Sequence, residues 1–235
     1  MKKFLVIIFA GISLLSFGQE NYMSLCFVAN APFGNFSSNK NLLTDGFAKT
    51  GFGGEYSGAY FITENIGLGG NIKYTTNTID DNSVKHLLID ELPEDFPVED
   101  AQFGIGLWKQ VSLVAGPYFS LPLPNISLDA FTLIGINFIM PPSMQITATI
   151  DDEYYEKSLS VQTVSYAFDL GIALRYHVDE RYSFRLFSSY YQSKSKGKVK
   201  EEIDENGDGS REIVESDHSV TMQSVNFGIG IVYRL

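Results

Sequence analysis

The sequence predicts an all-β fold, an eight-stranded antiparallel up-and-down β-barrel that crosses a membrane, with short turns at one end and long loops at the other. Three observations carry this. After residue 20, apolar side chains recur at every second position in long segments, the period of a strand with two unlike faces. Three short breaks, Thr63–Asn65, Pro122–Asn125 and Asp179–Arg181, alternate with four long polar connections at residues 31–50, 77–106, 139–162 and 193–219. A chain that crosses one layer eight times gives that alternation. The segments between breaks also run to about ten residues or more, longer than sandwich strands and matched to a tilted bilayer crossing.

The chain has 235 residues. At its start, Lys2 and Lys3 precede the apolar run FLVIIFAGISLLSF, with Ser16 and Gly18 as small residues before Gln19. This is the pattern of a secretory signal peptide over 1–18, leaving 19–235 as the barrel. The run is too short for a spanning helix, which needs about 20 residues, and nothing later in the chain is as long and as apolar. Losing Lys2 and Lys3 takes the formal charge from −11 to about −13, which excludes a nucleic-acid backbone as partner. Cys26 is the single cysteine, so no internal disulfide forms; it sits on a strand-like alternation and reads as a small packed residue.

The best-resolved faces lie in YAFDLGIALRYHV. Tyr166, Phe168, Leu170, Ile172, Leu174, Tyr176 and Val178 form an apolar row; Ala167, Asp169, Gly171, Ala173, Arg175 and His177 form a small and polar one. In a barrel the first row meets lipid and the second fills a narrow interior. A soluble β-sandwich would reverse the faces, and is the competing fold. Tyr74, Tyr176, Tyr182, Tyr190 and Tyr233, with Trp108, stand near strand ends, where amphipathic rings suit membrane interfaces.

Turn geometry places charges inside. Pairing Ile62 with Ile66 sets a register that puts Glu55 opposite Lys73, and pairing Val178 with Tyr182 puts Arg175 opposite Arg185. All four point inward. Two facing arginines repel, so a carboxylate is expected beside them, with Asp129 the best placed and Asp169 farther toward the loops. The expected result is a charge network that plugs the interior; a gated ion path is the alternative.

The loops carry two motifs. DENGDGSREIVE places Asp204, Asn206, Asp208, Gly209 and Glu215 at the spacing of a calcium loop. Arg211 stands at a normally apolar position, however, and the flanking GKVKEEI reads as strand, so a hairpin tip competes with a Ca²⁺ site; no other cofactor is expected. In NSVKHLLIDELPED, Val84, Leu87 and Leu88 follow helical spacing after a Ser83 cap, up to Pro93. A short helix over the barrel mouth is expected, in an acidic loop that includes Asp80, Asp81, Asp90, Glu91, Glu94, Asp95, Glu99 and Asp100. His86, His177 and His218 are the only histidines. They form no triad by sequence, because Asp217 and Ser219 point away from the face of His218, and no enzyme is expected.

With its leader, the glycine-rich hairpin GFGGEYSGAYFITENIGLGGNIKY and the terminal FGIGIVYRL, the chain resembles the small eight-stranded outer-membrane barrels of the OmpA transmembrane-domain and OmpX type. The resemblance covers the whole mature chain in pattern. It implies a monomer in the bacterial outer membrane, amid lipid and lipopolysaccharide, inserted by the barrel-assembly machinery through its last strand. Such chains commonly end in an aromatic residue; here the last residue is Leu235, with Tyr233 two before it. By analogy the role is structural or one of surface interaction, with an extracellular ligand at the loops. A small channel and, behind it, a lipid-modifying enzyme are the alternatives.

Overall fold

In the computed structural model, residues 21–41, 44–90, 102–142, 144–150, 153–160, 163–204 and 212–235 are described. The leader expected over 1–18 lies outside them. Eight strands form the barrel: β1 (Tyr22–Phe33), β2 (Ala48–Phe61), β3 (Ile66–Ile79), β5 (Trp108–Pro122), β6 (Ile126–Met140), β9 (Thr163–His177), β10 (Tyr182–Asp204) and β11 (Glu212–Arg234). Each pairs antiparallel with the next, and β11 pairs with both β10 and β1 to close the ring. Closure leaves no barrel edge, so the ladder satisfies the backbone where no water reaches.

The turns are short because local side chains fix them. The Thr63 hydroxyl accepts from the Ile66 amide at 3.0 Å, and Asp179 Oδ1 accepts from the Arg181 and Tyr182 amides at 2.7 Å each. Those two amides hold the Asp179 carboxyl below its ordinary pKa. Neighbouring hairpins are tied at this end: Ser120 N–H donates to Asn65 O, His177 N–H to Asn125 O, and Leu235 N–H to Asn21 O.

The faces are those of a membrane barrel, which excludes the soluble sandwich. Leu25, Phe27, Leu68, Ile72, Leu113, Ile134, Ile172, Phe184, Ile229 and Ile231 are exposed on the outside, whereas Glu55, Lys73, Asp129, Asp169, Arg175 and Arg185 are buried inside. Only a lipid surround makes that arrangement favourable. On β9, Tyr176 and Tyr166 mark the two ends of the outer band. They are about ten residues apart, ~33 Å along the strand and ~25 Å along the membrane normal at the usual tilt. Tyr182 and Tyr233 pack edge to face at 5.6 Å on the turn side.

At the other end the described parts of the connections carry elements of their own. The chain contains a 3-10 turn at Gly34–Phe36 and a helix, α1 (Asp81–Asp90), between β3 and β4 (Gln102–Ile105). Beyond the barrel β10 and β11 continue as a long hairpin. Strands β7 (Met144–Ile150) and β8 (Glu153–Ser160) join its β10 side, and β4 pairs with β7. Where β9 leaves β10 after the Ala167–Ser193 pair, β8 takes its place from Lys200 onward. A sheet of β11, β10, β8, β7 and β4 therefore stands on one side of the barrel mouth.

Candidate functional site: a filled interior beneath a raised sheet

The interior is layered. Nearest the turns, Arg175 Nε lies 2.8 Å from Asp129 Oδ2, and its Nη2 reaches Asp129 Oδ1 at 3.1 Å. Ser120 donates to the same carboxylate at 2.7 Å, and the guanidinium stacks 4.4 Å over the Tyr22 ring. Arg185 makes its ion pair elsewhere: Nη1 lies 3.1 Å from Glu55 Oε1 and also donates to Ser24 and Ser57. The Phe187 ring lies 4.9 Å from its guanidinium carbon, giving the cation a π face as well as a carboxylate. Gly171 and Gly228 make room for this packing, since a Cβ at either would strike the ring of Phe131 or Phe187.

Glu55 and Lys73 are cross-strand partners, as the turn register predicts. Their charges nevertheless meet others first. Lys73 Nζ is 2.7 Å from Asp169 Oδ2 and 4.0 Å from Glu55 Oε2. Asp169, Lys73, Glu55 and Arg185 thus form a chain across the lumen, beside the separate Arg175–Asp129 pair. Arg175 and Arg185 are likewise opposite each other, but Asp129 takes only the first. All six are buried, and their charges sum to zero.

Above lies a belt of amides and hydroxyls. Asn77 donates to Asn30 Oδ1 at 2.7 Å, Asn30 donates to Asn226 Oδ1 at 2.7 Å and Ser224 Oγ at 2.8 Å, and Asn137 donates to Gln110 Oε1 at 3.1 Å. Above that, Phe36, Phe47, Ala48, Ile79, Val84, Trp108, Ile139 and Met222 close the mouth as one apolar cluster, with Leu87 against it. Trp108 is therefore not an interface residue: it points inward, 4% exposed, and its indole N–H donates to Gly46 O at 2.7 Å.

The helix expected over the mouth is present, with a different cap. It begins at Asp81, and Asp80 rather than Ser83 leads it: Val84 N–H donates to Asp80 O, and the Ser83 hydroxyl donates to Asp80 Oδ2 at 2.9 Å. Lys49, 3.1 Å from Asp80 Oδ1, and Ser83 hold that carboxyl below its ordinary pKa. Asp45 is also lowered: partial burial works to raise it, but hydrogen bonds from the Ser38 hydroxyl, the Lys40 and Asn41 amides and the Thr44 hydroxyl outweigh that. Phe47 joins the two loops from a left-handed backbone, φ 52°. Its N–H donates to Ser38 O and its carbonyl accepts from the Asp80 amide.

Other sequence expectations fall at separate places. Asn206, Asp208 and Gly209 lie outside the described residues. Asp204 ends β10, while Glu215 on β11 pairs with Lys200 of β10, about four strand positions or ~13 Å from the level of Asp204. His86 is exposed on α1, and His218 pairs in the raised hairpin with Gly197. At the turn end of β9, His177 bonds Ser127 through Nε2 at 2.9 Å and Ser183 through Nδ1 at 3.0 Å. Cys26 is buried in the lumen.

The chain matches no protein-family model and no curated protein. Among solved structures it is similar to Ail, the attachment invasion locus protein of Yersinia pestis (14% identity, 92% of this chain and 100% of that one, TM-score 0.46). It is also similar to a major outer membrane protein from Thermus thermophilus (14%, 91% and 99%, 0.47) and to the outer membrane protease OmpT from Escherichia coli (8%, 92% and 96%, 0.46). At these identities and TM-scores the likenesses carry nothing about role. The closed eight-stranded barrel of outer-membrane type rests on the strand pairing and the inverted faces above.

Proposed function

We propose that the chain is an integral outer-membrane protein that acts by surface interaction: a solute-tight barrel that holds a recognition sheet above the membrane. The observation that carries this is the contrast between lumen and rim. The lumen is filled by paired charges, a hydrogen-bonded belt and an apolar plug, which argues against a pore. The rim, in contrast, continues as a hairpin: β10 runs from Lys194 to Asp204 past the Tyr166 level, ~35 Å of strand, and is widened by β8, β7 and β4. Strands that rise above lipid have no part in spanning it and present two faces for binding an extracellular ligand. The acidic composition suits a basic or cation-bridged ligand better than an anionic polymer.

The test is to shorten the hairpin by joining Lys196 to Ser219, which are register partners. Under this reading the shortened barrel keeps its heat-modifiable gel mobility, while cells that carry it lose attachment to matrix-coated surfaces relative to cells with the full chain. Equal attachment overturns the recognition role. Discrete conductance steps from the full chain in planar bilayers overturn the solute-tight barrel.

A further inference from the structure

The lipid-facing band is uneven. On β6, β9 and β10 toward the loop end, Ile136 and Phe168 are half-buried while Ile134 and Tyr166 stand out at 68% and 88% exposure, leaving a groove of about 680 Å³. Its upper end is polar, lined by Gln192 and Lys194. The Tyr190 hydroxyl donates to Gln192 Oε1 at 2.7 Å, which leaves the amide nitrogen to donate elsewhere. Lys194 is exposed and makes no ion pair among the described residues; its partner on β11 is Thr221.

Height decides what this cation can meet. Lys194 lies one step past the Ser193–Ala167 pair, beside Tyr166, at the level where interfacial tyrosines mark the lipid headgroups. A lysine there extends its stem along apolar surface and keeps its ammonium among the polar groups. Lys196, Lys198 and Lys200 follow it at alternate positions of β10, each step ~7 Å farther along a strand that rises past Tyr166, so Lys194 is the member of that row at headgroup height. A groove for acyl chain that ends in a cation and an amide donor, both at headgroup height, is complementary to one class of molecule.

We propose that the groove holds a phosphate-bearing acylated lipid of the loop-side leaflet, its chain along Ile134, Ile136 and Phe168 and its phosphate at Lys194 and Gln192. This rests on the membrane-spanning reading and names a lipid partner for it. The probe is lipid A, with phosphatidylcholine for comparison, added to the full barrel in neutral detergent and read as bound adducts by native mass spectrometry. Lys194→Gln is expected to lower lipid A occupancy roughly fivefold, the worth of one lysine at an anionic surface. Lys194→Arg keeps it, and Ile136→Phe, which fills the groove, lowers both lipids. Lys109→Gln removes an exposed lysine of the same rim on β5, outside the groove, and leaves binding unchanged. Equal losses from Lys109→Gln and Lys194→Gln mean diffuse electrostatics and overturn the site, as does unchanged binding in Lys194→Gln. If Lys194→Gln lacks heat-modifiable mobility, the Lys194→Arg and Ile136→Phe pair decides alone, and a loss of lipid A in the first or no loss in the second rejects the groove. A barrel that inserts into vesicles without lipid preference loses only this proposal; one that does not insert loses the membrane reading with it.

Discussion

Arg175 and Arg185 stand directly opposite each other on β9 and β10, yet their guanidiniums go to carboxylates on different strands, Asp129 on β6 and Glu55 on β2. Repulsion between the two cations is met by separate partners on the two sides of the lumen. Each pair is then a local necessity: removing one member leaves a charge stranded in a low-dielectric interior.

Asp129→Ala is accordingly expected to destabilise the barrel by about 3–5 kcal/mol, read as a lower urea midpoint for the gel-mobility shift in vesicles. The double variant Asp129→Leu with Arg175→Met should recover most of the loss, since it removes both charges. A single variant as stable as the parent contradicts the pairing.

Lys73 has two carboxylates within reach, at 2.7 Å for Asp169 and 4.0 Å for Glu55. Double-mutant cycles with Lys73→Met should give the larger coupling with Asp169→Asn and the smaller with Glu55→Gln, whose main partner is Arg185. The reverse order would place the ammonium on the other carboxylate.

The apolar plug has a built-in reporter, because Trp108 is the only tryptophan. Val84→Asp sets a charge among Phe36, Ile79 and Trp108 and is expected to red-shift the tryptophan emission while the barrel keeps its folded gel mobility. The cost falls on α1 and the mouth, since the strands below are held by their own ladder. Unshifted emission would show that α1 does not cover the indole.

The ties between the first two loops depend on Asp45 and Asp80, both with lowered carboxyl pKa values. A carboxyl depressed on folding adds stability above its unfolded pKa and loses it as pH falls through the folded one. The indole N–H resonance of Trp108, bonded to Gly46 beside Asp45, should therefore hold steady down to the ordinary aspartate value of 3.8 and move only below it. Asp80→Asn should bring some of that movement to neutral pH.

Much of this was legible in the chain. The short turns at Ile62–Ile66 and Val178–Tyr182 fixed two registers, so Glu55–Lys73 and Arg175–Arg185 could be read from spacing. Asp129 could be placed beside the facing arginines; that it takes Arg175 alone, while Arg185 goes to Glu55 and Lys73 to Asp169, could not be read. Lys73 and Asp169 come from strands that are not neighbours and meet across the lumen, a matter of barrel radius and stagger. Trp108 looked like an interface residue because Val111 and Leu113 on one face of β5 are matched by Val114 and Tyr118 on the other, so hydropathy alone left its side undetermined. Asp80 and Ser83 are both good caps, and the salt bridge from Lys49 decides between them. The raised hairpin was legible only in part: GKVKEEI reads as strand, but polar residues on both faces of 193–219 leave no hydropathy contrast at period two to show how far the strands run.

The neutrality of the buried cluster has an electrical consequence. A voltage across a membrane does work on net charge displaced along the field, about 2.3 kcal/mol per elementary charge per 100 mV. Three buried cations locked to three buried anions offer only opposed dipoles to that field. These six residues therefore add no net gating charge, and a potential across the membrane does no net work on the cluster as a whole.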